Sequence, residues 1–455
     1  MVQPRKSRLL HDTIRRYLRR QAWSHLDKLI AKTRVEDLAA VMAAMAERDR
    51  VAIFGRLEDN ADRANLICAM SPPFGKTVLD PLPADKVVGI LREMAQDDMA
   101  DILADLEPEL AARVLEILEE SDEVEDLMAY GDDTAGGIML PEFVAIDADQ
   151  TAEEALIALR ESGEDVEMVY YIYAVNEHGH LVGVLSLRKL VVAPAHKRIR
   201  EIMETDVISV STETDQERVA HMVAEYDLLA IPVVDDANKL LGLVTVDDVI
   251  DVLQEEAEED FRKMAGAGEY VPAEASVFRH VAIRFPWLLA SAAGGLIAAA
   301  VMGNYEETLE AQSFLALFLP VILGMSGNVG TQSATVTVRG IAMGHIHHGE
   351  RAWATVRKEI GISISMGALY GSAIGVIAYL TGDQPHYGPA IGLSIAAGMI
   401  IASTIGTVIP ILLSRLNIDP AVATGPIVTT SVDFFGVMTY FGIATYLAVA
   451  MGATV

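Results

Sequence analysis

Beginning at Phe285, the sequence runs through five long windows almost free of charge. Residues 285–305, 311–338, 360–382 and 384–414 contain no Asp, Glu, Lys or Arg, and 420–455 contains one, Asp433. A helix needs about 20 predominantly apolar residues to cross the hydrocarbon core of a bilayer. Buried helices of a soluble globule do not account for five such windows in succession, so they predict membrane-spanning helices near 285–303, 312–338, 360–380, 388–413 and 422–451. All seven basic residues beyond Ser276 fall before the first span, between spans two and three, or between spans four and five. The opposite loops contain Glu306, Glu307, Glu310 and Asp383 but no Lys or Arg. Because Lys and Arg accumulate on cytoplasmic loops, the N-terminal half is expected in the cytoplasm and the C-terminus outside.

Charge divides the chain at the same place. From Ser276 onward eight acidic residues stand against seven basic ones, whereas the first 275 residues hold 57 acidic and 28 basic, a net of −29. A field of that sign repels phosphate and argues against a nucleic-acid binder, while cations are favoured partners. Cys68 is the only cysteine, which excludes an intramolecular disulfide framework and a Cys-based zinc site. Residues 5–20, RKSRLLHDTIRRYLRR, are basic but lack the long apolar core of a signal peptide. They read as an amphipathic helix that either touches anionic lipid or forms a solvated first helix.

Residues 24–130 place apolar side chains at three- and four-residue spacing throughout, and similar patterns recur from Val35 and Asn60, which predicts a small helical-repeat domain. Its acids include Asp97, Asp98, Asp101 and Asp105. From residue 138 short β-rich runs alternate with helices, and the pattern is duplicated. Ile138-Met139, then FVAID, then TAEEALIAL is echoed by Ile202-Met203, VISVS and DQERVAHMV, and LVGVLSLRKL (181–190) is echoed by LLGLVTVDDV (240–249). A strand–helix–strand–strand–helix unit repeated twice resembles a tandem pair of CBS domains. Thr245 and Asp248 have the T-x-x-D spacing that can hold a nucleotide ribose in that family, which makes ATP the candidate ligand. The first copy has Ser186 and Lys189 instead. The alternative is a pair that serves only as scaffold and dimerisation unit.

The segment 245–263, TVDDVIDVLQEEAEEDFRK, has helical spacing and sets Asp247, Asp251, Glu255 and Glu259 in one stripe, with Asp248, Glu256 and Asp260 beside it. Like charges at i,i+4 destabilise a helix by a few tenths of a kcal/mol per pair. A hard divalent cation, bound by oxygen ligands, removes that repulsion.

Asp433 is the one acid within the five spans as drawn, and a carboxylate in hydrocarbon is costly enough to mark a pathway. On a helix it shares a face with Pro426, Thr429 and Thr430, and Gly425-Pro426 interrupts the backbone ladder and frees carbonyls. Carboxylate, hydroxyl and carbonyl are hard ligands suited to Mg²⁺, Ca²⁺ or Mn²⁺ rather than Zn²⁺ or Cu⁺. Two copies about a twofold axis supply two charges. In span two, PVILGMSGNVGTQ (320–332), Gly324, Gly327 and Gly330 allow close helix approach, and Asn328 and Gln332 add neutral oxygens. His345, His347 and His348 in the following loop have no acid or Cys beside them to complete a soft-metal site.

An acidic helical domain, a CBS pair, an acidic connecting helix and five spans occur here in that order. With P-x-x-x-G-x-x-G-N-x-G-x-Q in span two and D-P-A…G-P…T-T-x-x-D over 419–433, this arrangement resembles the MgtE family of magnesium channels and transporters. The resemblance implies a multidomain chain. An all-α helical-repeat N-domain occupies 1–130, an α/β tandem CBS pair 131–253, an acidic connecting (plug) helix 254–277, and a polytopic five-helix transmembrane bundle 278–455. It implies a homodimer in the inner membrane with a pore on the dimer axis, where Asp433, Thr429, Thr430, Gly425, Pro426, Asn328 and Gly324 meet Mg²⁺. It further implies closure by cytosolic Mg²⁺ bound at Glu217, Asp227, Asp248, Asp251, Glu256, Glu259 and Asp260, opposite acids such as Asp98 and Asp101. No G-x-x-x-x-G-K-[ST] motif is present, which argues against an ATP-driven pump, and a single intramembrane carboxylate argues against a hydrolase. The alternatives are a nucleotide-sensing CBS membrane protein and a carrier of Mn²⁺, Co²⁺ or Ca²⁺.

Overall fold

The computed structural model describes residues 4–118, 121–162, 170–268, 271, 276–346, 350–384, 386–416 and 418–450. It divides into two compact units, Met1–Leu253 and Gln254–Val455.

The first unit opens with helices. Val35–Ala43, Asn60–Cys68, Ala84–Leu91 and Pro108–Ile117 pack successively in one row, and Glu47–Phe54, Pro72–Leu79, Gln96–Asp105 and Ser121–Met128 in another. This is the expected helical repeat, since no helix pair of this length can bury its apolar face alone. The rows close over Leu38, Met42, Ile53, Leu66, Leu79, Ile90 and Leu103, all buried. The basic helix Pro4–Arg19 belongs to this body: Ile14 is fully buried and Leu10, Tyr17 and Leu18 pack on the core, while Arg8, Arg15, Arg16, Arg19 and Arg20 face solvent. Its apolar side is used within the protein, which favours the solvated first helix over insertion into lipid.

Two three-stranded sheets follow. In the first, β1 (Ala145–Asp147) pairs parallel with β2 (Tyr171–Val175), which pairs antiparallel with β3 (Leu181–Ser186). In the second, β4 (Val210–Ser211), β5 (Ala230–Val234) and β6 (Leu240–Thr245) repeat the order and directions, and even the register irregularity recurs, at Ala174/Val175 and Val233/Val234. The copies are joined reciprocally: Leu140 bridges Leu243 of β6, Glu204 bridges Val184 of β3, and His180 meets Lys239. Each module completes the last strand of the other, so the duplication read in the sequence is one interlocked α/β body.

In the second unit five helices are long and apolar enough to cross a membrane: Val277–Gly303, Ser313–Ala342, Ala352–Thr381, Tyr387–Arg415 and Pro426–Ala450, here spans one to five. Span four is the most enclosed, with 44% of its most apolar window buried against 11% for span one. Its neighbours approach through backbone. A Cβ on Gly371 of span three would lie 2.5 Å from the Gly392 carbonyl of span four, and one on Gly406 would lie 2.2 Å from the Gly330 carbonyl of span two. Any side chain there would push the helices apart.

Two expectations need correction. Span three is the later part of a helix that starts at Glu350, so Glu359 lies within that candidate span and Asp433 is not the only acid on the five. The uncharged window ended one residue after Glu359 when read backwards, whereas helix geometry carries on through Arg357 and Lys358. Pro426 does not interrupt a helix either: it opens span five, preceded by a 3₁₀ turn, Pro420–Thr424. Proline is well suited to a first helical position, where no backbone donor is needed.

Candidate functional site

The entrance to span five is built from the sequence DPAVATGP. The Asp419 carboxylate accepts the Ala421 N–H at 2.7 Å and so caps the 3₁₀ turn, and Thr424 folds its hydroxyl back to the Ala421 carbonyl. Beyond Gly425, the Thr429 hydroxyl reaches the Gly425 and Pro426 carbonyls at 3.1 and 3.2 Å, so carbonyls freed by the helix start are partly taken up within the turn. Val428 and Val432 press against Gly330 of span two, and Gly436 faces Leu323. Asp433 therefore sits beside span two, half-buried, with no hydrogen-bond or ion-pair partner among the described residues.

The expected face is only partly present. Pro426 is buried, and Thr430 packs against Gly294 of span one, where a Cβ would approach its methyl group to 2.0 Å. Thr430 is thus a packing residue in this chain. Gly324, Gly327 and Asn328 lie on an open side of span two, with nothing within 4 Å of a Cβ built at either glycine. Only Gly330 of the three span-two glycines makes the close intrachain approach the sequence suggested.

On the near side of this entrance lies the end of the connecting helix, Val246–Met264. Lys263 bridges Asp419 at 2.7 Å and also pairs with Glu259. Burial by itself would lower the Lys263 ammonium, but its hydrogen bonds to Asp419 and Glu259 outweigh that and hold it above the ordinary lysine range. Asp260 is pushed up to about 6, first by burial and then by the facing charges of Asp419 and Glu256. Trp287 of span one lies 3.6 Å from a Cβ position on Gly425, 4.0 Å from one on Gly266 and 3.5 Å from one on Gly268. Sequence reasoning singled out Glu256, Glu259 and Asp260 but missed Lys263 and gave Asp419 no role. The contact between them is distant in sequence and leaves no local signal.

A second acidic group lies in the first unit. Asp97 and Asp98, at the start of the helix Gln96–Asp105, face Asp248 and Asp251 at the start of the connecting helix. Asp97 is pushed up to about 7 by burial and then by Asp98 and Asp248, and one of its carboxylate oxygens is buried without a partner. Asp248 is pushed up to about 6 by burial, partly offset by the hydrogen bond from Thr245. Asp98 is raised by burial, restrained by the Cys68 thiol donating to it, and raised again by Asp251. The Cys68 thiol is itself pushed up to about 12 by burial and the Asp98 charge. Asp98, Asp248 and Asp251 are therefore brought together, and Asp97, absent from the candidate ligands, is the most strongly raised of the group.

Glu217, Asp227 and Asp101 are not among the charges that shift Asp97, Asp98 or Asp248. Glu217 reaches His221 at 3.8 Å and Asp227, with φ 54°, closes the helix Gln216–Glu225. Asp101 lies further along its helix and is exposed. Among the described residues no three His, Cys, Asp or Glu are already spaced to hold a metal ion. His347 and His348 lie outside the described residues, and His345 is exposed.

The buried Thr245 hydroxyl contacts Asp248 at 2.5 Å and Asp247 at 2.6 Å, so the T-x-x-D pair is hydrogen-bonded internally. A narrow cleft lined by Glu142, Tyr170, Tyr171, Tyr173 and Thr245 opens beside it, and the buried Tyr173 hydroxyl has no partner. In the first copy Ser186 caps its own helix through the Lys189 N–H, and the Lys189 ammonium pairs with Glu204.

Comparison with known proteins joins these regions. Residues 33–133 match the MgtE intracellular N domain, 135–196 and 199–255 match CBS domains, and 319–443 match the MgtE divalent cation transporter. Magnesium transporter MgtE of Bacillus subtilis is 34% identical over 89% of this chain and 90% of its own length. The chain belongs to the MgtE family of magnesium transporters. The Thermus thermophilus transporter of the same name is 38% identical over 76% of this chain and 78% of its own. A crystal structure of the cytosolic domain of the Mg²⁺ channel MgtE in complex with ATP aligns with a TM-score of 0.50 at 38% identity, covering 53% of this chain and 99% of that one. The helix Pro4–Arg19 precedes the region matched by the family's N domain.

Proposed function

We propose that the chain is a homodimeric Mg²⁺ channel or transporter of the cell's inner membrane, with its first unit in the cytoplasm and its C-terminus outside, closed by cytosolic Mg²⁺. The observation that supports this most strongly is the order of groups along one stretch of the second unit. Asp260 faces Asp419, Glu259 shares Lys263 with it, Asp419 caps the turn into span five, and Asp433 lies two turns into that span. Mg²⁺ dehydrates reluctantly and is commonly bound through one or two carboxylates with several waters retained. Asp433, half-buried and without a protein partner among the described residues, suits such an ion, and a copy from a second chain supplies the second charge. The open side of span two bearing Gly324, Gly327 and Asn328 is where a second copy approaches closely and contributes neutral oxygens.

Gating follows from charge. Asp97, Asp98, Asp248 and Asp251 repel one another, and a divalent ion bridging carboxylates relieves that repulsion and stabilises the compact state by its differential affinity. The connecting helix carries the change to Asp419. Glu217, Asp227 and Asp101 join these ligands only on rearrangement or across a second copy. Mg²⁺ uptake by proteoliposomes tests the pathway. Asp433→Asn, which keeps shape and removes charge, abolishes uptake while the protein stays folded and dimeric. Uptake at the wild-type rate by a well-expressed Asp433→Asn protein contradicts it.

A nucleotide at the CBS pair is favoured by the Tyr173 hydroxyl left without a partner beside Thr245, with ATP the ligand suggested by the relative crystallised with it. Millimolar ATP at fixed Mg²⁺ then raises the melting temperature of the first unit, by about 2.7 kcal/mol of added stability at a hundred times Kd. No shift leaves the pair as scaffold.

A further inference from the structure

Glu359 is the second acid within a membrane-spanning helix, and the ion pathway argued above makes no use of it. Its surroundings are built. The Ser333 hydroxyl of span two donates to a Glu359 carboxylate oxygen at 2.8 Å, and the Ser403 hydroxyl of span four lies 3.2 Å from that of Ser333 and 3.3 Å from the Glu359 carbonyl. Ser333 and Ser403 are buried, as are Thr337 and Thr407, which fold back on the Ser333 and Ser403 carbonyls. The result is a hydroxyl chain ending on a carboxylate, an arrangement whose bonds polarise and strengthen one another in a low-dielectric interior.

The position of this chain gives it a purpose. Ser333 and Ser403 each stand three residues from the point where spans two and four touch backbone to backbone, at Gly330 and Gly406. The Cβ position of Gly330 also meets Val428 and Val432, the residues that seat span five beside Asp433. Span three packs mainly on span four, so the Glu359–Ser333 bond is a polar tie from span three to span two at this crossing. Carboxylates on membrane-spanning helices are costly and mark places where they are needed. Glu359 is part-buried, and one of its carboxylate oxygens is taken up by the Ser333 hydroxyl.

We infer that Glu359 is a positioning residue for ion passage: by accepting the Ser333 hydrogen bond it fixes the crossing of spans two and four on which the Asp433 helix is seated. This rests on the reading of Asp433 as part of the ion pathway. What matters in Glu359 is an acceptor of the right reach, and the negative charge is secondary. Glutamine at the same place still presents an oxygen to Ser333.

The test uses the full chain in proteoliposomes and measures both Mg²⁺ uptake against concentration and the ratio of Mg²⁺ to Ca²⁺ uptake. Loss of a hydrogen bond to a charged group corresponds to roughly ten- to hundredfold. Glu359→Ala is therefore expected to lower maximal uptake at least about tenfold and to shift the half-saturating concentration and the Mg²⁺/Ca²⁺ ratio. Glu359→Gln stays within about threefold of wild type, since most of the bond is retained. Ser333→Ala shifts the same two quantities, and adding it to Glu359→Ala costs nothing further, as expected for two ends of one contact. If Glu359→Ala fails to reach the membrane, Ser333→Ala carries the test. Equal damage from Glu359→Gln and Glu359→Ala overturns the inference in favour of an ion-binding charge, and unaltered half-saturation and ratio in Ser333→Ala overturn it outright. Asp433→Asn run alongside separates this from the pathway reading, because wild-type uptake there removes the pathway and leaves the Glu359 results to be read alone.

Discussion

Asp97 and Asp433 are the same chemical group in two opposite settings. Asp97 shares a crowded, partly dry corner with Asp98, Asp248 and Asp251, and its proton affinity rises to about 7 because burial and like charge both oppose ionisation. Asp433 stands on a membrane span without another carboxylate or a hydrogen-bond donor among the described residues. On the proposed reading, the crowded carboxylates would respond to divalent ions by compacting, and the solitary one would give an ion a place to pause and leave. If that holds, the number of charges per site, rather than the type of ligand, separates sensing from passage. It also predicts that one substitution, carboxylate to amide, acts in opposite directions in the two units.

The largest effect is expected where the charge is solitary. Asp433→Asn should lower Mg²⁺ uptake by about ten- to hundredfold or more, as removal of a charged partner does, whatever the Mg²⁺ concentration on the cytoplasmic side. Equal residual uptake through Asp433→Asn and wild type would erase the distinction between the two settings. Smaller effects of opposite sign belong to the connecting helix. Lys263→Met removes the tie from Glu259 to Asp419, and flux at fixed cytoplasmic Mg²⁺ should rise a few-fold, the scale of a partly exposed ion pair, with Lys263→Arg near wild type. A fall in flux would place Lys263 on the side of opening. Smaller again is the effect at the CBS cleft: Thr245→Val should weaken the melting shift given by ATP without altering uptake in its absence.

The smallest perturbation uses the chain's one cysteine as a reporter. With its thiol pushed up to about 12 by burial and the Asp98 charge, Cys68 should react slowly with iodoacetamide at pH 8, and its rate should still be climbing above pH 9. A raised thiol pKa means less thiolate at any given pH, and thiolate is the reactive form. Asp98→Asn removes the facing charge and should speed labelling, and a rate indifferent to Asp98 would mean that the acidic group is not formed as described.

The architecture was legible in the sequence because its signals are local and repeated. Five uncharged windows, helical spacing from Val35 onward and a duplicated strand–helix unit each follow from the period with which apolar residues must meet a core. The repeat even extends to the irregularity shared by Ala174/Val175 and Val233/Val234. The sites were less legible, for two physical reasons. A carboxylate on a helix can be assigned to a face from spacing, but its partner arrives from elsewhere in the chain, as Lys263 does for Asp419 and Asp97 for Asp248. Composition windows also end at charges, whereas helices continue through them, which is why Glu359 fell outside span three. Pro426 shows the converse. Proline marked a break in the ladder, and only the preceding turn at Pro420–Thr424 decides that the break is the start of the helix.

The central claim is that crowded carboxylates close the pathway on which Asp433 lies. Its most direct test is Mg²⁺ flux from proteoliposomes as a function of Mg²⁺ on the cytoplasmic face, comparing wild type with Asp251→Asn, Glu256→Gln, Glu259→Gln and Asp260→Asn combined. Wild-type flux should fall as cytoplasmic Mg²⁺ enters the millimolar range, high KCl should not substitute because monovalent salt screens without bridging, and the quadruple variant should keep conducting. Identical closure of the two proteins by Mg²⁺ would contradict the account.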